Sequence, residues 1–77
     1  MILAEMRRML ARNKVREGVL KPADAGGGWQ VALEDYEGQQ HALTRHDGVA
    51  RLYHSLDRAT AILRELGVER ICVVERF

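Results

Sequence analysis

The chain is short of most features that announce a function. One cysteine, Cys72, stands among 77 residues. That excludes an intramolecular disulfide and fits a reducing cytoplasm. No apolar run approaches the roughly 20 residues needed to span a membrane. The apolar residues near the start are interrupted by charge, unlike the core of a signal peptide. No cysteine pair completes a zinc site with the three histidines, which are expected to be surface or sheet-face residues rather than metal ligands. The run Gly26-Gly27-Gly28 lacks the following Lys-Ser/Thr of a phosphate-binding loop. With 12 basic and 11 acidic residues the net charge is +1, which by itself points to neither nucleic acid nor a membrane surface. Internal repeats are absent. No cofactor is expected, and no enzyme.

What remains is a single small domain. A chain of this length buries only about 60–65% of its unfolded surface. Its stability should be on the order of 4–11 kcal/mol at about 0.05–0.15 kcal/mol per residue. A second copy would supply apolar burial that one chain cannot. Charge is also uneven. Residues 1–21 carry six basic side chains against Glu5 and Glu17, whereas residues 22–49 carry five acids against Arg45 alone. Such a dipolar chain suits docking against itself or against an acidic partner.

Residues 2–17 read as a helix. Ile2, Leu3, Met6, Met9 and Leu10 fall at three- and four-residue spacing, with no proline among them. Gly18 is expected to stop that helix, and Val19-Leu20 to form a short extended piece. The N-terminal segment is thus 1–21, followed by a Pro/Gly linker at 22–28 that tethers it loosely to a core at 29–77. Three methionines all precede residue 10, which makes the stripe adaptable. The stripe serves either the protein's own sheet or a partner.

Trp29 to Tyr36 alternates apolar and polar, as a half-buried strand does. Glu37-Gly38 turns into a weaker strand at 39–45. Asp47-Gly48 marks a tight turn into a third strand at 49–54. Ser55 then caps a helix whose apolar face is Leu56, Ala59, Ile62, Leu63 and Leu66, and Gly67 closes it. The run Ile71 to Val74 reads as a central strand covered on both faces, with Cys72 a buried structural thiol. The expected fold is α+β, a two-layer sandwich in the order α-β-β-β-α-β, with a three-stranded antiparallel meander followed by a helix and a fourth strand.

His54, Ser55 and Asp57 have the residue types of a nucleophilic triad. They are nearly adjacent, whereas a triad converges from separate segments, so no catalytic residue is assigned. The residues expected to carry function are those of a contact surface: Leu3, Met6, Met9 and Leu10 on the first helix, with Trp29 as a large anchor, in a homodimer or against a protein partner. The alternative is a small DNA-binding regulator that uses Arg7, Arg8, Arg12 and Arg51, or the sheet face carrying Gln30, Gln40, Arg45, Arg51 and Tyr36. The acids of the middle segment would repel phosphate there.

From Trp29-Gln30-Val31-Ala32-Leu33, and from Ala50 through Leu52-Tyr53-His54-Ser55-Leu56-Asp57 to Leu66-Gly67-Val68, the sequence resembles small proteins of plasmids and integrative conjugative elements. Some of these are partition-associated and ParC-like. The resemblance covers about residues 29–74. It implies an accessory role in the maintenance or transfer of mobile DNA, acting in the cytoplasm, with no catalytic residues to carry over. A weaker similarity is to the arm-binding domains of phage-type integrases, in which three strands lead into a helix and the sheet reads DNA. The fourth strand and the acidic turns depart from that pattern.

Overall fold

The computed structural model describes residues 1–23 and 27–74. Its elements are α1 (Leu3–Ala11), β1 (Val15–Pro22), β2 (Trp29–Asp35), β3 (Gln40–Ala42), β4 (Leu52–Tyr53), α2 (Leu56–Glu65) and β5 (Ile71–Val73). The fold is α+β, with two helices on a mixed five-stranded sheet. The order follows the expected one with one strand added, and that strand extends the expected Val19–Leu20 piece back into the expected helix and forward to the first residue of the expected linker.

The first helix ends at Ala11 because Asn13 takes a left-handed conformation, φ 56°. The Lys14 amide then donates to the Met9 carbonyl and the Asn13 amide to that of Leu10, both at 3.1 Å. This is a Schellman closure with asparagine in place of glycine. Beyond it, Val15 and Val19 are β-branched and Gly18 is a poor helix residue. The segment Val15–Pro22 pairs antiparallel with β2 and parallel with β5. Segment 1–21 is therefore a helix and a strand, not one helix. The expected linker is the connection of the β1–β2 hairpin. Pro22 pairs with Trp29, and the Ala23 amide donates to the Gly28 carbonyl at 3.0 Å. Residues 24–26 of that linker, and the chain end at 75–77, lie outside the described residues.

The strand order is β3-β2-β1-β5, with β4 also on β2. β3 pairs with the Ala32–Glu34 part of β2, and β4 pairs with Trp29 and Gln30. Both run antiparallel to β2, so they lie end to end along one edge. The second and third strands of the expected meander are therefore one interrupted strand along β2 with a small excursion, closed by a Thr44–Ala50 bridge. The Asp47-Gly48 turn sits at the tip of that excursion, where the Arg45 amide donates to the Val49 carbonyl at 2.8 Å.

α2 forms where the sequence places it. The Ser55 hydroxyl accepts from the Arg58 amide at 3.1 Å. Gly67, at φ 93°, closes the far end, with Val68 and Gly67 amides on the Leu63 and Arg64 carbonyls. The helix carries the chain from β4 across β2 and β1 to β5.

Both helices cover the same side of the sheet. Met6 from α1, Ala59 and Leu63 from α2, and Leu20, Val31, Leu33 and Leu43 from the sheet form one buried cluster. Alternation along β1 and β2 puts Leu20, Val31 and Leu33 on this side and the adjacent pair Val19–Ala32 on the other. α1 is thus fully docked rather than loosely tethered. Met6 has no exposed surface, and the chain's first residue bridges to the β3 edge: its ammonium donates to the Ala42 carbonyl at 3.1 Å and its carbonyl accepts from the Thr44 amide at 2.8 Å. Among the described residues no helix is long and apolar enough to cross a membrane.

Candidate interaction surface

The residues expected to make a contact surface are largely spent inside the molecule. Met6 is buried, and Leu3, Leu10 and Trp29 pack half-buried against the same cluster. Met9 is half-buried at the flank of α1, beside Arg12 and Lys14. Of the two uses open to the stripe, it serves the protein's own sheet, because β1 follows directly and brings α1 down onto it.

The arginines of the alternative reading do not converge. Arg7, Arg8 and Arg12 are exposed on α1. Arg51 lies near the Trp29 end of the sheet, its guanidinium 5.8 Å from the Tyr53 ring centre. Arg7 instead faces the opposite end. There it lines a shallow groove of about 750 Å³ with Arg16, Tyr36, Leu66 and Arg70. Glu17 and Glu69 share that groove. Both helices also end there, and helix C-termini present partial negative charge. One of the groove's arginines already has an acceptor: Arg16 reaches Glu34 at 3.4 Å. The groove is a poor anion site on all three grounds.

His54, Ser55 and Asp57 form no constellation, since the Ser55 hydroxyl is engaged as a cap. No cluster of metal-ligating side chains occurs among the described residues. A half-buried ionic site closes the β2–β3 hairpin. His41 Nε2 lies 2.9 Å from Asp35 Oδ2, while the Glu37 and Gln39 amides donate to Asp35 Oδ1 at 2.9 and 3.0 Å. The His41 hydrogen bond, with help from those amides, holds the Asp35 carboxyl below its ordinary value of 3.8. A carboxyl depressed on folding stabilises the fold above its unfolded value and loses that contribution as pH falls through the folded one. Stability should therefore drop from about pH 5 downward, and more in the wild type than in Asp35→Asn. Urea midpoints measured at stepped pH check this, and parallel acid limbs in the two proteins would contradict it.

The side of the sheet away from the helices is where structure and expectation differ most. β5 is an edge strand, paired only with β1 among the described strands. Its apolar run is not the signature of a central strand here: Ile71 and Val73 lean to the helix side, and Cys72 points to the bare one. Cys72 is exposed, not a buried thiol. Across the bare face, Cys72, Val19, Ala32 and Ala42 stand in one row. Val19 and Ala32 are only 2% and 3% exposed, flanked along their strands by Glu17, Lys21, Gln30 and Glu34. Leu52, paired with Gln30 on this face, is 47% exposed, and Val73, on the helix side of β5, is 39% exposed.

The two sheet edges are treated differently. The β3/β4 edge is broken by the 44–50 excursion and bridged by Met1, both of which blunt it against further pairing. The β5 edge has no such device among the described residues.

No family model, curated protein or solved structure matches this chain.

Proposed function

We propose that this chain is a non-enzymatic accessory protein of the cytoplasm that acts through protein–protein contacts, first of all with a second copy of itself. The observation that carries this reading is the lopsided packing. Both helices lie on one side of the sheet, one edge is closed, and the β5 edge with Cys72 and Val73 is left open among the described residues. A small domain gains from burying such surface, and a two-fold dimer is the commonest way to do so. Placement in plasmid maintenance or transfer rests on the resemblance of residues 29–74 alone. Sedimentation velocity up to high micromolar concentration tests the reading. The expected result is a concentration-dependent two-chain species, and a strict monomer throughout would overturn it.

A further inference from the structure

The pairing of β5 with β1 fixes what its outer edge presents. Gly18 donates to the Arg70 carbonyl at 2.8 Å, and Val74 donates to the Leu20 carbonyl at 2.8 Å. With Gly18 opposite Ile71 and Leu20 opposite Val73, alternation turns the amides and carbonyls of Cys72 inward. Those of Ile71 and Val73 point outward. No described residue pairs with them.

We infer that β5 is a dimerisation edge, pairing antiparallel with the β5 of a second copy about a two-fold axis through Cys72. This rests on the self-association proposed above and names its geometry. In antiparallel pairing, residues facing each other are either both outward-bonding or both not. A centre at Cys72 sets Ile71 against Val73 of the second copy, and Val73 against its Ile71, so every described outward group of β5 finds a partner. A centre at Ile71 would call instead on Glu69, which lies outside the strand.

Side chains favour the same register. Ile71 is half-buried and Val73 is 39% exposed. Pairing the two on the helix side covers Val73 with a β-branched neighbour, a stabilising cross-strand contact. On the bare side, antiparallel pairing turns one copy end for end relative to the other. The acidic end of one sheet, Glu17 and Glu34, then lies on the rows of the other's Lys21 and Gln30, and like charges are kept apart. The interrupted β3/β4 edge cannot offer a run of this kind.

The register makes Cys72 a reporter. It would face the second copy's Cys72 in a non-hydrogen-bonded pair, with Cα atoms about 4.5 Å apart, inside the roughly 4.4–6.8 Å range of disulfides. Diamide, which accepts the two electrons and two protons released by two thiols, should link the copies through Cys72. The full chain is treated with diamide and resolved on a non-reducing gel, and sedimentation is run in parallel under reducing conditions. Val73→Pro removes an outward amide without touching the pairing to β1. It is expected to raise the dimer dissociation constant about tenfold or more and to abolish the link. Cys72→Ala should still dimerise. If Val73→Pro fails to fold by circular dichroism, Val73→Lys, which sets a charge against Ile71, takes its place with the same expected weakening. A wild-type dimer that does not link through Cys72, or that is unaffected by these variants, overturns the edge and leaves self-association standing. A strictly monomeric wild type overturns both.

Discussion

Met6→Ala is expected to remove about 2–5 kcal/mol of stability, against a total on the order of 4–11 kcal/mol for a domain this size. A loss of about 5 kcal/mol from a total of about 4 kcal/mol leaves the variant largely unfolded at room temperature. Met6 has no exposed surface and joins α1 to the cluster of Leu20, Leu33 and Leu63. Truncating it leaves a cavity that the neighbours cannot readily fill, because the strands below and α2 beside it are held by their own backbone bonds. Met9, one turn along the same stripe and only half-buried, is the control. Met9→Ala should cost less than about 1 kcal/mol, near the range of ordinary surface changes. Urea midpoints at low protein concentration, with the slope checked for constancy, decide the matter. Equal losses would mean that α1 is not docked through Met6, and the stripe would again be available to a partner.

Gly18→Val carries the second large effect. A Cβ at Gly18 would lie 2.8 Å from Leu63 Cδ1 and 3.1 Å from Val68 Cγ1. Valine adds two methyl groups beyond that atom, directly beneath α2. Overpacking of this kind costs about 1–3 kcal/mol and sometimes more. The contacts are with side chains, so part of the strain can be relieved. Leu63→Ala in the same chain should make the loss smaller than the sum of the single changes, with a coupling of about 0.5–3 kcal/mol. Simple additivity in the thermal or urea measurement would show that Gly18 and Leu63 do not meet. Gly18→Ala is expected to be milder, since the lone methyl displaces only side-chain ends of Leu63 and Val68 and stiffens the unfolded chain.

Gly18 also explains the largest misreading of the sequence. A glycine after an amphipathic helix ordinarily ends it. Here its role is to let β1 approach α2, and the true end is five residues earlier at Asn13, where a left-handed asparagine does the same closing work as Gly67. No local pattern separates these uses of glycine. Only the presence of Leu63 and Val68 over β1 does.

The features set by the sequence alone are those whose interactions close within about a dozen residues. Ser55 through Gly67 is a cap, an amphipathic face and a stop. Trp29 to Asp35 is a strand, and the Asp47-Gly48 turn bonds across its own ends. Tertiary structure decided whatever depends on partners far along the chain. Val15–Pro22 became a strand because β2 and β5 both pair with it, which outweighs any helical leaning. Ile71–Val73 became an edge because α2 delivers it beside β1 with no further described strand to cover it. Met6 went inward and Cys72 outward for the same reason. Burial is a property of what lies opposite, and an apolar run names its need for cover without saying which neighbour supplies it.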